Sequence, residues 1–286
     1  MDSEVVADTL ELELLTGSSN ARPMSWVRGD SIAALDGSPT DLDLAVSTIS
    51  RRARLLGERY PIAVTNAGLK RRAGSVRTPY EAMLLITTGN PSVAFPRDQI
   101  SDAAELFEHI VTEAARSLLG ASSQAIRFGY PGEPGRPPEF PQAIPWLVKQ
   151  MKLKGGTAYR DPARRDGGVD VVAWRPFPDG RPGFPIHLIQ VTLEKNFSHK
   201  AADINARLWS LLLGLDVDAT SVLAIPRTLP EDKRWAEVAT RAILLERVRI
   251  AGLIPVSLPI LSAQRWADLL DSLVRDFRSQ FKERRE

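Results

Sequence analysis

The stretch from Arg164 to Asn196 decides the fold, and it reads RRDGGVDVVAWRPFPDGRPGFPIHLIQVTLEKN. Two short runs rich in β-branched and aromatic residues flank the proline- and glycine-rich segment Arg175 to Pro185. Runs of this composition are typical of β-strands, and the prolines between them cannot continue a strand ladder. The stretch therefore predicts a β-hairpin.

The register of this hairpin follows if Trp174 and Ile186 flank its loop, because antiparallel pairing keeps the sum of partner numbers constant. Asp170 then lies opposite Gln190 on the same face, with Cβ atoms about 5 Å apart. Both faces of the two strands are mostly apolar, which is typical of central strands covered on both sides. An aspartate and a glutamine in such strands are therefore candidates for a functional site.

The length, composition and net charge of the chain limit the classes of protein to which it can belong. With 286 residues it can form one large domain or two modest ones. It has no cysteine, which excludes disulfides and thiolate zinc sites. The formal net charge is only +2, so nucleic-acid binding would have to come from local basic patches. We expect no membrane association and a cytoplasmic location, because no apolar run approaches about 18 residues and the acidic N-terminus is unlike a signal peptide.

Four regions are predicted along the chain. Leu10 to Leu15 would allow a short docking element, but a loosely held terminus is the interpretation we adopt. The predicted regions are a flexible N-terminal tail (1–25), a helical N-terminal region (26–98), a core (99–258) and a C-terminal helix (259–286).

Helices and strands alternate within the core. The patterns predict helices over 102–119 (with Ser101 as N-cap and Gly120 as stop), 140–151, 200–213 and 230–250, and strands over 124–128, in the hairpin, over 221–226 and at the edge over 253–258. This order predicts an α/β fold, in which a mixed central β-sheet is flanked by helices.

The same order resembles the PD-(D/E)xK superfamily, which includes the restriction-endonuclease-like nucleases. The resemblance covers residues 100 to 226 and rests on Glu108 in the first helix, Asp170 entering the second strand and Gln190 in the third. Asp166 to Trp174 followed by Ile189 to Thr192 is similar to a subset among bacterial defence and restriction-type proteins, in which glutamine replaces the third-strand acid. A restriction-endonuclease-like core is the fold that this resemblance implies.

The resemblance also implies a metal-dependent site. Mg²⁺, or Mn²⁺, would be held by the side chains of Asp170, Glu108 and Gln190 and by the backbone carbonyl of Val191, since hard cations prefer oxygen ligands. Asp170, Gln190 and Glu108 would then be catalytic residues.

Active relatives carry a lysine two positions after the third-strand acid, and here that position is Thr192. Threonine has no positive charge with which to stabilise a pentacovalent phosphate. Lys195 would supply the missing ammonium if the strand bends, and Lys200 is a weaker candidate.

Each site residue also has a purely structural interpretation. Asp170 can accept hydrogen bonds in a turn, Gln190 can be a buried amide that bridges neighbouring strands, and Glu108 can be a helix-surface acid. The residues alone leave both interpretations open.

Two basic runs would contact DNA phosphates, positioning the duplex without reading its bases. One extends from Arg51 to Arg77, and a solvated surface is its alternative explanation. The other leads into the hairpin and comprises Lys149, Lys152, Lys154, Arg160, Arg164 and Arg165.

Three functions therefore follow from the sequence. The first is Mg²⁺-dependent hydrolysis of DNA in bacterial anti-phage defence, and a homodimer is compatible with it. The second is a catalytically inactive nuclease-fold protein that binds nucleic acid or a partner protein of a defence complex. The third is a protein-interaction subunit that docks through its terminal helical parts.

Overall fold

The structure, a computed structural model, describes residues 3–25, 39–74, 77–158 and 167–284. In chain order the described elements are α1 (Ser3–Thr16), β1 (Ala21–Pro23), α2 (Pro39–Leu56), β2 (Ile62–Thr65), β3 (Gly68–Arg71), α3 (Pro79–Leu85), α4 (Ile100–Leu119), β4 (Gln124–Arg127), α5 (Phe140–Met151), β5 (Val171–Trp174), β6 (Ile186–Val191), α6 (Ala206–Leu213), β7 (Thr220–Ala224), α7 (Lys233–Ala239), β8 (Ile243–Leu245), α8 (Arg247–Leu253) and α9 (Gln264–Glu283).

A five-stranded mixed sheet occupies the centre, with strand order β4-β5-β6-β7-β8. The pairs β4–β5 and β5–β6 are antiparallel, and β6–β7 and β7–β8 are parallel. The α/β class, the mixed sheet between helices and the C-terminal helix are therefore confirmed. A second sheet of three short antiparallel strands, in the order β1-β3-β2, was not predicted.

The hairpin forms in the predicted register. Trp174 pairs with Ile186 and Val171 pairs with Ile189, so every pair sums to the same number. The register places Asp170, the residue just before β5, opposite Gln190 on β6.

Both faces of β5 and β6 are largely buried, as the apolar character of both strand faces predicts. Val171 and Ile189 face the larger core, which also holds side chains of α1, α3, α4 and α9. Val172 and Leu188 face the opposite side, where they pack with α5 and α6. Leu223 of β7 belongs to a third cluster, with side chains of α7. Gln190 lies on the same face of β6 as Leu188, so its polar side chain is placed where the second and third clusters meet.

The predicted flexible tail over residues 1–25 is wrong for residues 3–16, which form the buried helix α1. Its acids Glu4, Asp8 and Glu11 lie three or four residues apart and therefore share one helix face. That face meets two arginines that are 0% exposed, Arg52 of α2 and Arg247 of α8. Glu4 Oε2 lies 2.5 Å and Glu11 Oε1 2.6 Å from Arg52, and Asp8 Oδ2 lies 2.6 Å from Arg247. Acidic residues that look solvated in the sequence are thus buried, because buried arginines neutralise them.

Two element boundaries also differ from the predictions. The helix predicted over 230–250 is divided into α7, β8 and α8, because Asp232 caps the start of α7 and Glu246 caps the start of α8. The edge strand predicted over 253–258 does not form, and β8 is the strand at that edge. Helix α4 begins one residue before the predicted cap Ser101, and it ends at Gly120 as predicted.

In the described part of the chain, no helix combines the length and the apolar character needed to cross a membrane.

Candidate functional site

Asp170, Gln190 and Val191 form a compact polar group at the end of the hairpin. Asp170 Oδ2 accepts hydrogen bonds from Gln190 Nε2 and from the backbone N–H of Val191, both at 2.6 Å. Gln190 Nε2 also donates to the carbonyl oxygen of Val191 at 3.3 Å. The carboxylate takes the place that a carbonyl oxygen of β5 would have if the ladder continued, so it completes the hydrogen bonding of β6.

The backbone of Asp170 holds this group between three strands. Its N–H donates to Ile189 O at 2.9 Å, and its carbonyl oxygen accepts from the N–H groups of Phe128 (2.6 Å) and Gly129 (2.9 Å). A Cβ atom at Gly129 would lie only 3.1 Å from Asp170 Oδ1. The close approach favours glycine after β4, because a larger residue there would press on the Asp170 side chain.

A resident divalent cation does not fit this arrangement. Gln190 turns an N–H group, rather than an oxygen, toward the carboxylate, and the same nitrogen donates to the Val191 carbonyl that would be a further ligand. Asp170 Oδ2 already accepts two hydrogen bonds. In addition, the described residues contain no group of three or more His, Cys, Asp or Glu side chains able to hold a metal ion. Hydrogen bonding within the protein thus accounts for Asp170 Oδ2 and the Val191 carbonyl oxygen, two of the atoms that the resemblance assigns to Mg²⁺ or Mn²⁺, whereas Gln190 Oε1 has no hydrogen-bond partner among the described residues.

Glu108 lies beside the positively charged side chain of Arg127, a residue of the central sheet. Its Oε2 is 4.0 Å from Nη1 of Arg127 at the end of β4, and the same Nη1 lies 3.2 Å from Glu105 Oε1 and 2.9 Å from His109 Nε2. Burial, together with the charge of Arg127, lowers the pKa of His109 to about 4, so the imidazole is neutral at pH 7. Arg127 thus gives Glu108 a partner that the sequence interpretation did not include.

Thr192 and Lys195, which both follow β6, lie in different environments. Thr192 is buried, its N–H donates to Ala224 O at 3.1 Å and its Oγ1 accepts from Glu194 N at 3.1 Å. The side chain of Lys195 packs against Gly89, where an added Cβ would lie 3.0 Å from Lys195 Cβ. It lines a cavity whose described lining includes neither Asp170 nor Gln190.

The weaker candidate, Lys200, lies in a 3-10 helix (Ser198–Ala202). Its Nζ is 2.9 Å from Glu194 Oε1, so this ammonium is committed to an ion pair.

The basic run before the hairpin is exposed where the structure describes it. Lys149, Lys152 and Lys154 are exposed at the C-terminal end of α5, and they form no ion pair with any described residue. Arg160, Arg164 and Arg165 lie outside the described residues.

The Arg51 to Arg77 run, in contrast, is largely paired inside the protein. Arg52 is fully buried and cannot contact DNA. Arg71 and Arg77 both bind Glu81 Oε1, at 3.0 and 2.7 Å. The prediction that this run contacts phosphates is therefore wrong for Arg52.

Comparisons with known proteins add little to this geometry. Neither the protein-family models nor the curated proteins gave a match. One solved structure is weakly similar. It is the MspJI restriction endonuclease in complex with a 27-mer oligonucleotide, with a TM-score of 0.25 and 14% sequence identity over 73% of this chain. The chain spans 40% of that protein's length. A TM-score this low does not establish a shared fold, so nothing about that enzyme is transferred to this chain.

Sequence reasoning missed Arg227, a residue that follows the carboxyl end of β7 and lines the same cavity as Lys195. The signal was present, because loops after parallel strands commonly form ligand sites. The predicted partner protein and homodimer remain predictions, since no described contact tests them.

Proposed function

We propose that this chain binds DNA through phosphate contacts and does not cleave it. The single observation that supports binding is the cluster of Lys149, Lys152 and Lys154, exposed and unneutralised by the described residues, on the segment that leads to Asp170. Exposed lysines with no carboxylate partner attract phosphates and release the counterions of DNA on binding. The same segment carries Arg160, Arg164 and Arg165, which would extend the surface.

The absence of cleavage is inferred from the positions that catalysis would need. Thr192, at the position of the usual lysine, is buried and uncharged. Lys195 lines a separate cavity, and Lys200 is paired with Glu194. Without an ammonium beside the reacting phosphate, the charge of a pentacovalent intermediate has little stabilisation.

The salt dependence of DNA affinity tests binding. We expect Lys149→Gln, Lys152→Gln and Lys154→Gln combined to lower the slope of log affinity against log salt by about 3, because each phosphate contact contributes about 0.9. Fluorescence anisotropy with labelled duplexes of unrelated sequence measures both quantities. The weakening should be similar for every duplex, since phosphates carry no sequence information.

A matched control variant removes three positive charges from other parts of the surface. Lys233→Gln, Lys282→Gln and Arg284→Gln combined change three exposed cations outside both basic runs. This variant should keep most of the affinity. If both triple variants lose affinity equally, general charge attracts the DNA and the proposed surface is wrong.

Metal-dependent hydrolysis is the second candidate, and one observation favours it. Gln190 is only 7% exposed, and its Oε1 is buried without a hydrogen-bond partner among the described residues. A buried amide oxygen without a donor is costly, and a cation bound to this oxygen would relieve that cost. Plasmid cleavage in Mg²⁺ or Mn²⁺ that disappears in Asp170→Asn would favour this candidate over the first.

A further inference from the structure

A cavity of about 570 Å³ opens at the carboxyl ends of the parallel strands β6 and β7. Its wall includes the segment after β6, the segment after β7, the loop after α3 and one face of α1. Side chains that can carry a positive charge are concentrated on this wall: Lys195, His199, Arg227, Arg234 and Arg241. The volume falls within the usual range of small-molecule sites.

Two of the three carboxylates on the described wall form ion pairs with buried arginines. Glu4 and Asp8 line the cavity, but each is bound by a buried arginine. Glu4 lies 2.5 Å from Arg52, and Asp8 lies 2.8 Å from Arg52 and 2.6 Å from Arg247. Glu237 is exposed at the surface. The charge left to face the cavity is therefore positive.

Arg227 is the cation that most needs a partner. Its Nη2 donates to the carbonyl oxygens of Thr88 (2.9 Å) and Leu193 (3.2 Å), and no carboxylate of the described residues forms an ion pair with it. Its Nε is buried without an acceptor. Burial lowers the pKa of Arg227 to about 10, because neighbouring charges do not offset the loss of water around the guanidinium. A half-buried cation with a buried, unpartnered N–H group is stabilised by an anion.

Two further cations stand uncommitted on the same wall. Lys195 and Arg241 are exposed, and neither forms an ion pair with a residue of the described ranges. Arg234 is 3.2 Å from Asp232 and so is partly committed. An anion in the cavity would have Arg227 at its inner wall and the two exposed cations toward solvent.

We propose that this cavity binds a small molecule that bears a phosphate group, with the phosphoryl oxygens directed to Arg227 and Lys195. Several cations around one cavity suit the charge of a phosphate better than that of a single carboxylate, and the guanidinium of arginine matches its oxygens geometrically. The cavity shares none of Asp170, Gln190 and Val191, so the inference does not depend on the proposed function.

Calorimetric titration of the full chain tests the proposal, with AMP as the probe and adenosine as the ligand that lacks the phosphate. We expect AMP to bind, adenosine to bind at least about tenfold more weakly, and Lys195→Gln to weaken AMP by about tenfold, since a charged hydrogen bond contributes that much. Lys233→Gln is the matched control, because this exposed lysine of α7 does not line the cavity. It should bind AMP like the wild type.

Arg227→Gln tests the inner wall, and its melting temperature without ligand shows whether it folds. A folded Arg227→Gln should gain no thermal stability from AMP, whereas the wild type should gain it by mass action. Equal affinity for AMP and adenosine, or unchanged AMP binding in Lys195→Gln and Arg227→Gln, would overturn the proposal. Displacement of AMP by a DNA duplex would also overturn it, because the phosphate site would then belong to nucleic acid.

Discussion

Replacing Asp170 by alanine removes the acceptor that connects β5 to β6. Gln190 Nε2 and Val191 N both donate to Asp170 Oδ2 at 2.6 Å, and Gln190 is only 7% exposed. Each hydrogen bond to a charged group contributes about 1.5–3 kcal/mol. Since Asp170 itself is half-buried, we take the lower limit, and the loss in the free energy of unfolding is about 3 kcal/mol.

Differential scanning calorimetry measures this loss as a melting temperature. For 286 residues, an unfolding entropy of about 2.1 cal/mol/K per residue converts 3 kcal/mol into a fall of about 5 °C. Asp170→Asn is the matched control, because its amide oxygen can accept both donors without the charge. It should lose about half as much, since neutral hydrogen bonds contribute about 0.5–1.5 kcal/mol each.

An unchanged or higher melting temperature in Asp170→Ala would refute this reasoning. Acids held for catalysis are commonly destabilising, and their removal then raises stability. That outcome would mean that the two short contacts contribute no stability and that Asp170 is kept for chemistry.

Three further changes test the surrounding structure. Arg247→Met leaves the carboxylate of Asp8 buried without its closest cation, and denaturant titration should show a loss of about 3–5 kcal/mol; a neutral result would mean that water compensates the charge. Because the pKa of His109 is lowered in the folded protein, the unfolded chain takes up a proton there at a higher pH than the folded protein does. The contribution of His109 to the free energy of unfolding is therefore fully present above about pH 6.5 and is lost as the pH falls toward 4. His109→Gln should flatten this part of the melting-temperature profile, and an unchanged profile would contradict the assignment. Gly167→Ala should cost about 1–2 kcal/mol from its left-handed backbone, at φ +64°, and more because its Cβ would lie 2.9 Å from Trp209; wild-type stability would show that this loop relaxes.

Local rules predicted the hairpin and its polar pair correctly. The proline-rich segment fixed the loop, pairing of Trp174 with Ile186 fixed the register, and the period of two placed Asp170 opposite Gln190. Each step depends on residues close in sequence or on strict alternation, so little tertiary information was needed.

The remaining features depend on contacts between distant parts of the chain. The sequence predicts a flexible tail where helix α1 forms, because only the tertiary fold brings Arg52 and Arg247 against Glu4, Asp8 and Glu11. Single-sequence patterns identify charges but not their partners, so a buried ion network resembles a solvated surface.

The position of the candidate lysine could not be predicted for the same reason. Lys195 follows β6 by a few residues, and a bend toward Asp170 was compatible with the sequence. Its carbon chain packs closely against Gly89 after α3, a residue more than a hundred positions earlier in the chain. The same fold brings Arg227 to the cavity that Lys195 lines.

The fate of bound DNA tests the central claim most directly. Supercoiled plasmid is incubated with the protein in Mg²⁺ or Mn²⁺ at a concentration that shifts all of it in a gel, and the DNA is examined again after the protein is removed. We predict a complete shift and full recovery of supercoiled DNA, with the same result for Asp170→Asn. Nicked or linear DNA produced by the wild type and not by Asp170→Asn would contradict the account.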